Sequence, residues 1–351
     1  KQVNSSHYER PNYYLVASPA MRDSTPIPAI DERGPSEFLR SRKENYMFKK
    51  TAIITGIALA MSAGAQADYD WELGAGYTGG TISQEVKNRV DKSQRIKQDN
   101  DTDAYDVSGT WYMETVDTSK GPLGEAAFLD ASSSITVGTG YGKTRVSQQN
   151  NPDGETYIAD MRYVAEGPGW KLSGVIVDLG FERAELGDNE VDTWNAGLGM
   201  YITETTTLVA QYDYQSLNNG NGSGIDAYGG TIESFFAMGD GGLKASANFG
   251  RSYISNSDDV DTYGIAGTYY LGSNIGIGLN WEQSEESGYE VNQYGVSAEW
   301  FISENFAVTL AYSDIVADDI TGIYTAPGQQ NQPFRYEASY EELGLSGIFR
   351  F

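Results

Sequence analysis

Carboxylates dominate the chemistry that this sequence could support. The 351-residue chain has 49 Asp and Glu against 24 Lys and Arg, no Cys, and a single His, His7. Without Cys there is neither a disulfide nor a thiolate metal site. Ser-His and Cys-His catalysis is excluded from everything after His7. The acidic balance argues against nucleic acid as a partner, because phosphate binding needs a basic face. We therefore expect no enzyme activity and no cofactor.

From Trp71 to Phe351 the chain alternates apolar and polar residues with a period of two. A strand points successive side chains to opposite faces, so each segment has one apolar and one polar face. About fourteen such segments are separated alternately by short turns and longer polar loops. The pattern predicts an all-β fold, a transmembrane antiparallel β-barrel of about 14 strands with short periplasmic turns and longer extracellular loops; counts of 12 and 16 stay open.

Some boundaries are less regular than this pattern. We expect charged loops at residues 81–102 and 315–333, and a third strand at residues 126–141 that follows a turn at Gly121 and Pro122. In the fifth segment the alternation slips near Ile176 and Val177, which predicts a β-bulge. Tyr and Trp concentrate near segment ends on the apolar face, where rings favour the level of the lipid headgroups.

The amino-terminal part has a different plan. Met47 opens a short cationic stretch, an apolar run covers residues 51–60, and small residues at 65–67 resemble a cleavage site. This organisation predicts a secretory signal peptide at residues 47–67, with a buried helix as the alternative. Residues 1–46 would then be a non-native leader from a mis-set start, or else a disordered extension. The barrel domain is residues 68–351.

Together these features resemble a Gram-negative outer-membrane porin. The carboxy-terminal run 343–351 carries the sharpest likeness, since it alternates apolar residues and ends in Phe349, Arg350 and Phe351. The resemblance implies location in the cell outer membrane of a Gram-negative bacterium and contact with lipid and lipopolysaccharide. It also implies that Phe349 and Phe351 are an assembly signal for the barrel assembly machinery. In size the chain is similar to monomeric fourteen-stranded channels.

If the apolar face meets lipid, the alternate face lines a lumen. By parity this face carries more acids than bases, which would make the interior electronegative and favour cations. The alternative is that these charges pair into a plug, or that a loop folds inward. The predicted pore-lining residues are Glu72, Asp106, Glu114, Asp130, Asp160, Arg162, Lys171, Asp213, Glu233, Lys244, Glu282 and Glu299, with Arg350 on the same face.

A cluster of bases lies in the first predicted loop, and three interpretations stay open. The loop is solvated, or contacts lipopolysaccharide phosphates, or folds inward to pair with lumen carboxylates and forms a constriction. The residues are Lys87, Arg89, Lys92, Arg95 and Lys97. Acidic runs such as 258–261 lack the spacing of a calcium loop, so we assign no metal site to them.

The sequence thus predicts a passive diffusion channel for small hydrophilic solutes, with a preference for cations. Two alternatives remain: a substrate-specific outer-membrane channel, and a structural or adhesive barrel that acts through its extracellular loops.

Overall fold

The computed structural model describes residues 68–88, 95–145, 153–165, 174–186, 189–217, 224–254, 259–286, 289–324 and 332–351. The predicted leader and signal peptide, residues 1–67, lie outside these ranges. Within them the chain forms fourteen strands and one short helix, α1 (Ala126–Leu129). The strands are β1 (Tyr69–Asn88), β2 (Arg95–Val116), β3 (Ser134–Arg145), β4 (Asp153–Ala165), β5 (Val175–Leu186), β6 (Asn189–Thr203), β7 (Thr206–Leu217), β8 (Gly224–Met238), β9 (Gly241–Ile254), β10 (Val260–Leu271), β11 (Ile275–Glu286), β12 (Tyr289–Ser303), β13 (Phe306–Tyr324) and β14 (Gln332–Arg350).

Each strand pairs antiparallel with its neighbours in the chain, and β14 pairs with β1 to close the barrel. Closure removes the free edges that an open sheet would leave. The main chain of Phe351 completes the seam, since its amide donates to the Trp71 carbonyl at 3.0 Å and its carbonyl accepts from the Trp71 amide at 2.9 Å. The predicted closed barrel of fourteen strands is confirmed.

The two ends of the barrel differ. Tyr69, Phe351 and the tight turns at 204–205, 239–240, 272–274 and 304–305 lie at one end, here called the short-turn end. In outer-membrane barrels short turns face the periplasm. The opposite end, here called the far end, carries the long hairpins of β1–β2 and β13–β14.

Large apolar side chains cover the outside of the barrel. Aliphatic residues occupy the middle of the strands, with Leu198 and Leu279 both 64% exposed. Aromatic rings flank them: Trp71 and Trp111 lie 6.3 Å apart near the short-turn end, and rings such as Trp194 are exposed toward the far end. In water such a surface would be unstable, whereas it suits a hydrocarbon layer between two interfaces. The molecule is therefore a transmembrane barrel of the outer-membrane type.

Three sequence predictions are wrong in detail. The described parts of these ranges, 81–88, 95–102, 315–324 and 332–333, are strand, so the ladder continues where the sequence predicted loops. Pairing of β5 with both neighbours runs past Ile176 and Val177 without a shift, so there is no bulge there. Ile176 is apolar for another reason: it is fully buried on the inner side, against the segment described next.

The third correction concerns residues 126–133, which do not belong to a strand. After β2 the chain enters the barrel through two turns of 3-10 helix, Thr118–Lys120 and Leu123–Glu125, and then α1. It leaves at Ser134, where β3 begins. This inward segment, residues 117–133, is here called the plug.

Candidate functional site

The plug lies inside the short-turn end of the barrel and is buried. Asp117 caps its first turn by accepting a hydrogen bond from the Ser119 amide at 2.8 Å. Beyond Gly121 the residues from Pro122 to Phe128 are all buried. A polypeptide segment without a strand ladder needs other partners for its polar groups. The plug finds them on the inner wall.

The plug crosses the lumen from one wall to the opposite wall. Phe128 packs in a cluster with Ile176 of β5, and Leu123 packs in a cluster with Phe301 of β12. Strands β5 and β12 are seven places apart in a closed ring of fourteen, so they face each other across the barrel. A segment held by both walls obstructs the path between the two ends.

Arg350 fixes the first half of the plug. Its Nη1 donates to the Leu123 carbonyl at 2.8 Å, and its Nε donates to Glu72 Oε2 at 2.9 Å. The guanidinium also contacts two rings, with Cζ 4.6 Å from the Tyr69 centroid and 4.7 Å from the Phe301 centroid. Arg350 and Glu72 are both almost fully buried. A buried pair with additional hydrogen bonds and ring contacts is the arrangement in which ionic groups are stable away from water.

Lys244 fixes the second half. Its Nζ lies 3.1 Å from Glu125 Oε2 on the plug and 3.1 Å from Glu233 Oε1 on β8. The Tyr270 hydroxyl donates to Glu125 Oε1 at 2.6 Å. Burial raises the pKa of the Glu125 carboxyl above its usual range; Lys244 and Tyr270 oppose this rise and Glu233 adds to it. The plug thus places the Glu125 carboxylate against the wall, where Lys244 pairs with both Glu125 and Glu233.

Main-chain contacts complete the docking. The Leu123 amide donates to the Ser273 carbonyl at 2.9 Å, and the Tyr201 hydroxyl donates to the Phe128 carbonyl at 2.9 Å. Ser132 and Ala131 donate back to the carbonyls of Ala127 and Phe128, at 3.0 and 3.1 Å. These two bonds form a Schellman motif at the end of α1. Ala131 occupies its left-handed position with φ of 56°, where glycine is usual.

Beyond the plug, polar side chains of the inner wall lie flat across glycines of neighbouring strands. A Cβ built on Gly180 of β5 would collide with Asp160 of β4 and with Asn195 of β6, which are its partners in register. Side chains that lie along the wall extend less far into the lumen than side chains that point across it. The same contact recurs in three further cross-strand pairs: Asp106 over Gly76, Asn248 over Gly264 and Asn280 over Gly295.

Comparison with solved structures finds several proteins that are similar to this chain at low identity. Omp33, an outer membrane protein of Acinetobacter baumannii, gives a TM-score of 0.49 at 16% identity, covering 82% of this chain and 100% of that chain. The Pseudomonas putida toluene transporter TodX gives 0.45 at 12% identity, covering 80% and 90%. A FadL homologue of Pseudomonas aeruginosa gives 0.39 at 9% identity, covering 80% and 90%. No family model and no curated protein matches the chain. The function proposed below rests on the lumen and the plug instead.

Eight of the twelve predicted pore-lining residues fall into two groups with different surroundings. Four of them lie against the plug at the short-turn end: Glu72, Glu233, Lys244 and Glu299. Four others lie on strands further toward the far end: Asp106, Asp160, Asp213 and Glu282. Glu282 accepts a hydrogen bond from the Asn248 amide at 3.3 Å. Their contribution to solute passage stays a prediction.

The four remaining residues that were predicted to line the pore are in other surroundings. Asp130 is not on β3 but at the carboxyl end of α1, where it pairs with Lys120 of the plug. Arg162 pairs with Asp178, its Nε donating to Oδ1 at 2.6 Å. Glu114 is exposed, next to the irregular pairing between the ends of β1 and β2. Lys171 lies outside the described residues.

The basic cluster is only partly described. Lys87 and Arg95 belong to β1 and β2 and face each other in register. Lys97 is exposed and pairs with Asp99 at 3.2 Å. Arg89 and Lys92, and the side chains of Lys87 and Arg95, lie outside what the structure describes. The constriction and lipopolysaccharide roles both stay predictions.

Sequence reasoning missed two functional groups. Asp178 lies between the outward Val177 and Leu179, so parity identifies it as an inner residue; the expected bulge concealed it. Glu125 lies outside the strands, so the alternation of apolar and polar residues could not identify it. Its signal was the length of the stretch between β2 and β3, which far exceeds the turns at 204–205, 239–240, 272–274 and 304–305. In the described part of the chain no acidic or histidine cluster suits a metal ion. No described helix is long and apolar enough to span a bilayer.

The carboxy-terminal aromatic pair lies on the outer side of β14. The rings of Phe349 and Phe351 are 5.8 Å apart, and Phe351 is half exposed. An exposed terminal ring at the barrel rim is accessible to a partner during assembly. Recognition by assembly machinery stays a prediction.

Proposed function

We propose that this protein is an outer-membrane channel for small hydrophilic solutes with a preference for cations, and that the plug holds it in a closed state. The supporting observation is the inner wall beyond the plug. Asp160 and Asn195 lie over Gly180 rather than across the lumen. Fourteen strands lie between the eight that side chains can fill and the sixteen of open porins. Because the polar side chains lie along the wall, we expect this fourteen-stranded barrel to have an open interior rather than one filled by side chains.

The charge of the lumen supports the cation preference. The inner bases Arg162, Lys244 and Arg350 are each paired with a carboxylate of the wall or plug. Their positive charge is thereby neutralised locally. Acids on the inner wall outnumber these bases, so the net charge of the lumen lining is negative. A low-dielectric channel with this field concentrates cations.

Conduction requires the plug to move, since the plug reaches both β5 and β12. We therefore compare the wild-type protein with a double variant, Leu123→Ala and Phe128→Ala, which lacks both apolar side chains that hold the plug to the wall. Each truncation of a buried large side chain weakens the docked plug by about 2–5 kcal/mol. In planar bilayers the variant should show frequent conductance steps and the wild type rare ones.

Ion selectivity is tested in that open background. Under a KCl gradient the reversal potential should indicate cations, and the combined variant Asp106→Asn, Asp160→Asn and Glu282→Gln should reduce the shift. The matched control removes three charges from exposed turns: Glu204→Gln, Asp240→Asn and Glu304→Gln. An unchanged reversal potential in the lumen variant, or an equal change in the control, contradicts the cation assignment.

A second candidate is a structural barrel that does not conduct. The observation in its favour is the same plug, buried and bonded to the wall at several points. Bilayer recordings separate the two functions. If the double variant inserts, retains its strand signal in circular dichroism and stays silent, the channel proposal is wrong and the structural barrel stands.

A further inference from the structure

Acidic groups outnumber bases where the plug meets the wall. Around Tyr270 and Arg350, four carboxylates meet two cations, Lys244 and Arg350. The other pairs at this end, Lys120 with Asp130 and Arg162 with Asp178, are balanced in charge. Two carboxylates, Glu125 and Glu72, are 1% and 2% exposed. The four carboxylates belong to Glu72 on β1, Glu125 on the plug, Glu233 on β8 and Glu299 on β12.

Glu299 makes no salt bridge to a cation in the described part of the chain, and it lies directly against the plug. A Cβ built on Gly124 would lie 2.5 Å from Glu299 Oε2 and 2.9 Å from the Tyr270 hydroxyl. Tyr270 in turn donates to Glu125. Glu299 and Glu125 therefore flank one tyrosine, with Lys244 shared between Glu125 and Glu233. When all four acids are ionised the site has excess negative charge in a buried place, which is costly.

We propose that this cluster makes the plug a proton-sensitive gate, closed when the carboxylates gain protons and released when they lose them. The gate rests on the proposed channel function, because it regulates the same lumen. A proton bound at the cluster removes one of the excess charges and leaves the Lys244 and Arg350 contacts in place. Loss of that proton restores like-charge repulsion between the plug and the wall.

The direction agrees with the groups that face Glu125. Lys244 on β9 favours its ionised form, as does the hydroxyl of Tyr270 on β10. Burial and Glu233 on β8 outweigh them, so the pKa of Glu125 is raised in the docked plug. Glu299 on β12 adds a further acid, while Arg350 on β14 is engaged by Glu72 on β1. The docked plug thus holds protons more tightly than a released plug in water.

Release is measured by thiol labelling, independently of conduction. The chain has no Cys, so Ala127→Cys places one thiol on the buried face of the plug. Ser119→Cys, on its exposed first turn, is the matched control for the pH dependence of thiolate chemistry. A membrane-impermeant maleimide is applied to the purified protein in liposomes. The labelling rate of Ala127→Cys is divided by that of Ser119→Cys at each pH. As pH increases, this ratio should rise by about tenfold in total for each unit by which the cluster's pKa differs between the docked and released states.

A charge variant tests the cluster itself. Glu299→Gln removes an excess charge without breaking the Lys244 pairs, so Ala127→Cys should stay protected to higher pH. Glu290→Gln makes the same change at an exposed position at the far end of the same strand and should have no effect. A rate ratio independent of pH, or equal behaviour of both variants, overturns the proposal. If Ala127→Cys does not fold, Ser132→Cys supplies a buried thiol of nearly native shape.

The labelling result separates the gate from the channel. Labelling that depends on pH in a barrel that never conducts contradicts the proposed channel and supports the moving plug. Conductance with labelling that does not depend on pH supports the channel and contradicts the gate.

Discussion

Arg350, the penultimate residue of the chain, donates a hydrogen bond at 2.8 Å to the main-chain carbonyl of Leu123 in the plug. The last strand, β14, thereby binds the plug, which lies between β2 and β3 and is distant from β14 in sequence. Because Arg350 also pairs with Glu72 on β1, one side chain links barrel closure to plug docking. Folding of the barrel and closure of the lumen are therefore coupled at this residue.

Arg350→Met should destabilise the protein by about 3–5 kcal/mol, because it removes one member of a buried ion pair and leaves the Glu72 charge away from water. Urea unfolding from lipid vesicles measures the effect. Adding Glu72→Gln should recover part of the loss, since it removes the buried negative charge. Arg251→Met breaks an exposed pair with Asp261 and should change little. Equal losses in Arg350→Met and Arg251→Met would show that the buried pair has no special weight.

Gly180→Ala should narrow the open lumen. The added methyl collides with Asp160 and Asn195, so both side chains must swing away from the wall. We expect a smaller single-channel conductance and a loss of about 1–3 kcal/mol in stability from the crowding. Gly344→Ala is the control, because its methyl would lie 3.7 Å from Thr78 Oγ1 in ordinary contact. Matching conductances in the two variants would sink the flat-wall interpretation.

Ala131→Gly should stabilise the docked plug. Ala131 has φ of 56° in the Schellman motif that ends α1, a conformation that glycine adopts without steric cost. A gain of about 1 kcal/mol corresponds to about fivefold slower labelling of Ala127→Cys. Ala131→Val should act in the opposite direction, because a β-branched residue is strained at positive φ. Faster labelling in the glycine variant contradicts the assignment of Ala131.

The barrel could be predicted from the sequence, whereas a plug was only one alternative and its residues, 117–133, could not be identified. Alternation in stretches such as β11 indicates which side chains face lipid, since a strand has only two faces. Parity cannot indicate what Glu125 contacts, because that depends on Lys244 and Tyr270, distant in sequence and brought together only by closure of the ring. Ile176 illustrates the limit: its apolar character suggested a bulge, whereas it reflects packing against Phe128.

Stability should fall as pH rises through the titration of Glu125. Its pKa is raised in the folded protein by burial, so the folded state binds this proton more tightly than the unfolded state. The contribution is complete below the ordinary glutamate value of about 4.3 and is lost as pH rises through the raised pKa. Unfolding free energies measured across this range should slope downward. Glu125→Gln should flatten that part of the slope, and an unaltered slope assigns it to other groups.

Charge placed on the outer belt tests whether lipid surrounds the barrel. Leu279 lies in the middle of β11 and is 64% exposed, whereas Ile275 begins the same strand at the short-turn end. Leu279→Arg should cost about 2–4 kcal/mol in vesicles, because a guanidinium at the bilayer midplane is poorly solvated, and Ile275→Arg about 0–1 kcal/mol, because it reaches the interface. The two residues share one face of one strand, so strand propensity and side-chain size are matched. In detergent micelles, where water penetrates more readily, the difference should shrink. If both arginine variants are as stable as wild type in vesicles, the apolar belt does not face hydrocarbon, and a channel across the membrane has no basis.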